Sequence, residues 1–219
     1  MIVSSMLQTD WIKRQYREAY LRHGRSPSAV LCPKGRQSLR YAALLARSDP
    51  TGRSLLDFGC GLAHLCDFLD EQGIECQYTG VDFVQEFIDD NTVRFPNRKF
   101  VQLDDFSQLK GDYDIVLASG VFNIKYVVDE NENRRLVEGY LKQLFSRARH
   151  VLSVDFMTMH VDFSREEAYH PDPAQMLQFA IENIGRRVVL DHSYLPYEFC
   201  LTIFRDQAMD RERGVYANS

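Results

Sequence analysis

The stretch from Arg53 to Asp70, R-S-L-L-D-F-G-C-G-L-A-H-L-C-D-F-L-D, constrains this chain most. Ser54 to Phe58 is a short apolar run ended by glycine, the pattern of a buried strand. Gly59, Cys60 and Gly61 then form a turn, and Leu62, Leu65, Phe68 and Leu69 recur on one face of a following helix. A strand that enters a glycine turn and a helix is where an open α/β sheet seats a nucleotide-like ligand. The glycines let the backbone approach a ligand where a Cβ would clash. The helix start offers free N–H groups and a positive dipole end to an anion.

Asp57 stands just ahead of the glycines. A carboxylate at the end of a central strand needs donors, and a ligand ammonium is one. D-F-G-C-G therefore asks for a zwitterion, its cation toward Asp57 and its anion toward the helix start. The amino-acid end of S-adenosylmethionine is such a group. The dinucleotide fingerprint G-x-G-x-x-G would need a third glycine where this chain has His64, which argues against NAD or FAD. Taken alone, the glycines are also compatible with a tight turn that holds no ligand.

Later segments repeat the pattern of a strand with a polar or small end. Gln77 to Asp82 reads as a second strand ending in an acid about 20 residues past the glycines, where a carboxylate accepts ribose hydroxyls. A third strand, Lys99 to Leu103, leads into Asp104, Asp105 and Phe106, placed to meet an adenine amino group and stack on its ring. A fourth, Asp112 to Gly120, ends in Ser119 and Gly120 and is followed by Val121-Phe122-Asn123. Open α/β sheets bind ligands at that edge.

L-L-D-F-G-C-G, G-V-D-F, Q-L-D-D-F and Y-D-I-V-L-A-S-G-V-F-N, in that order, resemble the signature motifs of class I S-adenosylmethionine-dependent methyltransferases. The likeness spans roughly residues 50 to 205 and rests on the ordered set. It implies a Rossmann-like α/β fold: a seven-stranded, mostly parallel sheet with an antiparallel last strand, helices on both faces and an N-terminal helical lid. By position, it implies that Asp57, Gly59, Cys60 and Gly61 hold the methionine part. Asp82 would take the ribose and Phe83 the adenine face, with Asp104, Asp105 and Phe106 near the adenine. Ser119 and Gly120 would line the cofactor cleft, and S-adenosylhomocysteine would be the product. Many members carry a third glycine where this chain has Ala63, a residue small enough for binding to survive.

Two helices precede the motif. Residues 1 to 9 are expected to fray. Asp10 is placed to cap a helix over Trp11–Arg22, with Trp11, Ile12, Gln15, Tyr16, Ala19 and Tyr20 as its stripe and His23-Gly24 as its end. Arg25 to Gly35 reads as a loop and Arg36 to Arg47 as a second helix. We expect residues 1–48 to act as a lid, 49–206 as the core and 207–219 as a polar tail. Gln37, Arg40 and His64 face the cofactor in this reading. A guanidinium pairs bidentately with a carboxylate, so Arg40 is the candidate partner of the methionine carboxylate, or else an ordinary solvated arginine. Tyr16, Tyr20 and His23 form either a packed aromatic face or a set of polar groups over the substrate.

Beyond Asn123, Lys125 stands at the mouth of the cleft, facing an anionic substrate or solvent. A helix is expected over Asn133–Arg149, with Leu136, Tyr140, Leu141 and Leu144 inward, then a fifth strand over His150–Phe156. Met157 to Asp172 is the least regular stretch and the expected seat of specificity. Asp172 caps a helix opened by Pro173 and closed by Gly185. Arg187 to Tyr194 and Glu198 to Arg205 make a terminal hairpin, whereas a dehydrogenase sheet would continue with a parallel strand.

The 219-residue chain carries a net charge of −5 and no long basic run, which disfavours a nucleic-acid partner. Its five cysteines (Cys32, Cys60, Cys66, Cys76 and Cys200) contain no C-x-x-C pair, so neither a zinc site nor a disulfide frame is signalled, and reduced thiols suit the cytoplasm. No apolar run has the length of a membrane span, and no signal-peptide core is evident. A monomer or homodimer without a metal is expected.

The sequence holds no nucleophile triad and no H-x-x-x-H spacing, and Val121-Phe122-Asn123 replaces the N-P-P-aromatic motif of amide-nitrogen methyltransferases. The expected activity is O-methylation of a small metabolite, with tailoring of an anionic natural product, a phosphonate or carboxylate, as the specific form. A carboxylate or phosphonate acceptor is already ionised and needs no base. Tyr16, Lys125, Tyr169 and His170 are the catalytic candidates, with His160 and His192 as further bases. Tyr16, Tyr20, His23, Asn123, Lys125, Tyr169 and Tyr194 form the expected substrate shell. An N-methyltransferase, an NAD-dependent oxidoreductase and a silent scaffold of the same fold are the alternatives.

Overall fold

The computed structural model describes residues 2–30, 36–163 and 165–205, with the side chains of the first helix described from Asp10 onward. Cys32 and the tail from 206 lie outside the described residues. Seven strands form one sheet: β1 Ser54–Phe58, β2 Gln77–Asp82, β3 Lys99–Gln102, β4 Tyr113–Ala118, β5 Ala148–Met157, β6 Arg187–Leu195 and β7 Glu198–Phe204. Their order is β3-β2-β1-β4-β5-β7-β6. All pairings up to β5 are parallel, and β7 runs antiparallel to both β5 and β6. The predicted sheet with its antiparallel last strand is therefore present.

Six helices accompany the sheet: α1 Ile2–His23, α2 Gln37–Leu45, α3 His64–Glu71, α4 Gln85–Arg94, α5 Glu130–Arg147 and α6 Pro173–Asn183. Successive strand residues point to opposite faces. Leu56 and Val116 accordingly join a core that includes Leu141 of α5 and Met176 of α6. Leu55, Ile115 and Leu117 join a second core with Leu44 of α2 and Leu65 of α3. Both faces of the central strands are covered, which is why β1 and β4 read as continuous apolar runs. The chain leaves β1 toward β2 on one side and returns as β4 on the other. That reversal opens a crevice at the carboxyl ends of the two strands.

Three local expectations are corrected. Helix α1 begins at Ile2, so the first residues are not a frayed start and Asp10 lies inside the helix rather than at its cap. Helix α4 was not evident in the sequence. Its composition, Q-E-F-I-D-D-N-T-V-R, is mostly polar, and it buries only Phe87, Ile88 and Asn91. Helix α5 begins at Glu130, where Asp129 accepts the Glu132 N–H at 2.8 Å, and its buried positions are Asn133, Val137, Leu141 and Leu144. Leu136 and Tyr140 are only half-buried. The Asp172 cap forms as expected, accepting the Ala174 N–H at 2.8 Å.

Candidate active site at the carboxyl edge of the sheet

The turn after β1 is held from two sides. The N–H groups of Gly59 and Cys60 donate to the Val81 carbonyl at 2.8 and 3.0 Å, and the Gly61 N–H donates to Asp82 Oδ2 at 2.9 Å. From α4, Asn91 Nδ2 donates to the Gly61 carbonyl at 2.7 Å and Arg94 to the Leu62 carbonyl at 2.8 Å. Asn91 thus explains why a polar residue occupies an inward phase of α4. Gly59 has φ +74°, and a Cβ there would lie 2.4 Å from Val121 Cγ2 in the loop after β4. Ala63, in the position where the resembled family carries its third glycine, also has a positive φ of 53°. Left-handed backbone favours glycine, so alanine is strained but sterically possible here.

A second clamp mirrors the first across the crevice. Asp155 of β5 accepts the Gly120 N–H at 2.6 Å and the Ser119 hydroxyl at 2.8 Å. Asp82 and Asp155 are both buried, and each holds the loop that follows the neighbouring strand. Burial raises the pKa of Asp155 and lifts that of Asp82 to about 6, even though backbone donors favour its charged form. Asp57 is buried between them and is pushed up to about 7, first by burial and then by the charges of Asp82 and Asp155, against a lowering hydrogen bond from Tyr78. The Tyr78 hydroxyl donates to Asp57 Oδ2 at 2.7 Å, so Asp57 has a protein donor.

Loops at this edge, with α1 and α2, enclose a cavity of about 850 Å³. Gly59, Cys60, Gly61, His64, Asp82, Phe83, Ser119 and Gly120 line it, as do Gln37 and Arg40 from α2. Tyr16, His23 and Asn123 of the expected substrate shell line it too. Asn123 is anchored there, its Oδ1 accepting the Met157 N–H at 2.9 Å. His64 is kept neutral-leaning by burial, which lowers its pKa. Its Nδ1 accepts from Gln37 at 3.2 Å, leaving Nε2 to donate to the Arg25 carbonyl at 3.3 Å. Arg40 turns two nitrogens, at 2.6 Å each, to the carboxylate of Glu198, which also lines the cavity.

Helix α1 lies against α4. Tyr16 meets Phe83 and Phe87 edge-on with ring centroids 6.2 and 6.3 Å apart, and Tyr20 meets Phe87 at 5.6 Å. Lys13–Asp104 (2.5 Å), Arg17–Glu86 (2.5 Å) and Arg25–Asp90 (2.6 Å) flank this contact. The aromatic stripe is therefore a packing face, with Tyr16 alone of its two tyrosines reaching the cavity.

Nine expected site residues do not line the cavity. Asp57 lies behind the turn. Tyr20 is spent on Phe87, and Asp104 pairs with Lys13. Asp105 caps a 3-10 turn over Phe106–Gln108, accepting the Ser107 N–H at 2.7 Å. Phe106 packs on Phe58 and Tyr140, with centroids 5.8 and 6.3 Å away. Lys125 and Tyr169 brace the cavity wall through backbone bonds, to the Glu167 carbonyl at 2.8 Å and the Asn123 carbonyl at 3.0 Å, and the Tyr169 side chain is buried in the core. His170 Nδ1 meets the Thr158 carbonyl at 3.0 Å. The Tyr194 hydroxyl is buried, and burial raises its pKa. His160 and His192 are likewise outside the lining.

Among residues the sequence did not single out, Glu198, Tyr126, Tyr197, Arg36 and Arg165 line the cavity, and Trp11 stands at it half-exposed. Asp155 had a readable signal, a lone acid inside the apolar run V-L-S-V-D-F-M. Glu198 had none, since it reaches Arg40 from 158 residues away. Among the described residues, no group of His, Cys, Asp and Glu could hold a metal ion, and no helix is long and apolar enough to cross a membrane.

Residues 34–176 match a family model described as a methyltransferase domain. A Mycobacterium tuberculosis H37Rv protein of provisional methyltransferase assignment is 29% identical over 152 residues, which is 68% of this chain and 92% of that one. The solved magnesium protoporphyrin IX methyltransferase of Synechocystis PCC 6803, with bound S-adenosylmethionine, is similar with a TM-score of 0.63 at 17% identity, covering 93% of this chain and 97% of that chain. A phosphoethanolamine N-methyltransferase of Haemonchus contortus, in complex with phosphoethanolamine and S-adenosylhomocysteine, has a TM-score of 0.64 at 17% identity, covering 94% of this chain and 51% of that chain. At such identities these structures speak for the fold. The family model spans well over half of the sequence, and the chain therefore belongs to the methyltransferase-domain family.

Proposed function

We propose that the cavity binds S-adenosylmethionine and that the protein methylates an oxygen (carboxylate, phosphonate or hydroxyl) of a small-molecule metabolite. The observation that carries this reading is a buried carboxylate, Asp82, clamped to the glycine turn while lining the same cavity. Each oxygen of Asp82 accepts one backbone N–H, from Gly61 and Val84, and keeps a lone pair for a ribose hydroxyl. The turn from Gly59 to Gly61 admits the methionine part, Phe83 flanks the adenine, and Ser119 and Gly120 border the cleft. Gln37 serves the carboxylate end, together with the Arg40 nitrogen that Glu198 does not hold. When bound, S-adenosylmethionine supplies a methyl group on a positive sulfur, so the acceptor gains the methyl, the C–S electron pair returns to sulfur and S-adenosylhomocysteine is left.

The residues of this chain orient and shield. Asp82 and Asp155 hold the two loops rigid on either side of the crevice, so a bound pair is positioned without reorganisation. The α1 helix, through Trp11, Ile12, Gln15 and Tyr16, covers the cavity and excludes water. The oxygen reading draws on the V-F-N segment after β4, which departs from the amide-nitrogen motif. The free thiols of Cys60, Cys66, Cys76 and Cys200 support a cytoplasmic location.

Titration calorimetry with S-adenosylmethionine tests the reading, with NAD and Asp82→Ala as controls. Binding that is absent for NAD and lost in Asp82→Ala is expected. Folded protein that takes no S-adenosylmethionine would sink it. Mass spectrometry of products from a carboxylate and phosphonate panel, with amines alongside, then separates O- from N-methylation.

A further inference from the structure

Four cations of α1, α2 and the stretch between them are ion-paired: Lys13 with Asp104, Arg17 with Glu86, Arg25 with Asp90, Arg40 with Glu198. Two arginines that line the cavity depart from this. The side chains of Arg36, just before α2, and Arg165, in the segment that follows β5, have no ion-pair or hydrogen-bond partner among the described residues. The chain as a whole has surplus carboxylates, at net −5, so these two are not left over for want of partners. Glu167 and Asp82 also line the cavity, and neither is ion-paired with Arg36 or Arg165 among the described residues. Guanidinium forks match carboxylate and phosphonate oxygens bidentately.

The cavity lining is also apolar and aromatic. Trp11 and Phe163 line the cavity and remain 43% and 45% exposed, with Ile124, Met157 and Leu195 alongside. Large apolar side chains left half-exposed at a cavity are binding surface. A volume of about 850 Å³ is large against the roughly 300–1,000 Å³ range of ligand pockets, so a cofactor leaves room for a sizeable acceptor. Two of the lining hydroxyls, Tyr126 and Tyr197, are poor bases. Tyr126 donates to the Val121 carbonyl at 2.8 Å with its pKa raised by burial, and Tyr197 donates to Asp162. An acceptor that arrives ionised needs neither.

We propose that the acceptor is an oxyanion, a carboxylate or a phosphonate, carried on a flat apolar body, with Arg36 and Arg165 holding the charge and Trp11 and Phe163 flanking the body. This rests on the methyltransferase reading above and narrows its substrate class.

The test is binding rather than turnover. Protein loaded with S-adenosylhomocysteine is titrated calorimetrically with 2-naphthoate, 2-naphthylphosphonate and the neutral 2-naphthamide. Both acids should bind about tenfold tighter than the amide, and the tighter acid identifies the preferred headgroup. Arg36→Gln and Arg165→Gln should each remove much of that preference and together abolish it. Affinity for S-adenosylhomocysteine should stay within about twofold, showing that the variants are folded. The proposal is overturned if the amide binds as well as the acids. It falls equally if the double variant keeps the preference, or if none of the three binds at millimolar concentration. Failure of the parent protein to take up S-adenosylhomocysteine, seen in its own titration, overturns instead the cofactor reading beneath it.

Discussion

Asp82 Oδ2 accepts the backbone N–H of Gly61 at 2.9 Å, tying the end of β2 to the glycine turn that follows β1. Its other oxygen accepts the Val84 N–H at 2.9 Å. In Asp82→Asn one of these two N–H groups faces an amide NH₂ and loses its acceptor. A buried donor left unpaired costs about 1–3 kcal/mol. We expect a urea midpoint lower by that amount and an affinity for S-adenosylhomocysteine weakened more than about tenfold, since the turn and the ribose site share this carboxylate. Unchanged affinity would separate Asp82 from the cofactor site.

Gly59→Ala meets two obstacles at once, a φ of +74° and a Cβ 2.4 Å from Val121 Cγ2. Gly73 has a similar φ of +66° but open space around it. Gly73→Ala should cost about 1 kcal/mol, and Gly59→Ala about 2–3 kcal/mol. Adding Val121→Ala to Gly59→Ala should return part of the difference in a double-mutant cycle. An equal loss in both single variants would show that the β4 loop does not press on the turn.

Helix α1 docks through a small aromatic cluster flanked by exposed ion pairs. Exposed pairs weaken with salt, whereas ring packing does not. Hydrogen exchange of α1 amides should therefore quicken between low and high ionic strength while that of β1 and β4 stays constant. Phe87→Ala, which removes the ring under both Tyr16 and Tyr20, should quicken α1 exchange at any salt. Exchange in α1 that follows the sheet under every condition would mean the helix opens only with global unfolding.

Burial lifts Asp57 from its ordinary 3.8 to about 7. Between those values the folded chain holds a proton that the unfolded chain has released. The stability contributed by this group is therefore full below about pH 4 and declines as pH rises toward 7. Asp82, at about 6, acts in the same direction over a shorter range. Asp57→Asn cannot ionise, so its stability relative to the parent should improve on the order of 3 kcal/mol between pH 4 and pH 7.5 in urea titrations. A constant difference would show that Asp57 is ionised throughout in the folded protein.

Much of the fold was legible because its signals are local. Ser54–Phe58 is an apolar run stopped by glycine, Asp172-Pro173 opens α6, and the final hairpin is two strands around Leu195-Pro196-Tyr197. Helix α4 was not, because its two apolar contacts are outnumbered by polar residues, one of which, Asn91, is buried to hold the Gly61 carbonyl. Lys125, Tyr169, His170 and Tyr194 were plausible by residue type and sequence position alone. Position along a loop does not say which way a side chain turns, and none of the four lines the cavity.

The sequence by itself determined the parallel sheet, the turn at Gly59–Gly61 and the acid at the end of β2, since each depends on periodicity or backbone freedom within a few residues. The tertiary structure alone decided which groups meet. Asp155 clamps Ser119 and Gly120 because β5 lies beside β4, and Arg40 finds Glu198 because β7 is inserted between β5 and β6. Asp57 acquired its raised pKa first from burial and then from the charges of Asp82 and Asp155 that packing brought near it. Contacts between residues far apart in the chain follow from strand order and packing, and no local pattern encodes them.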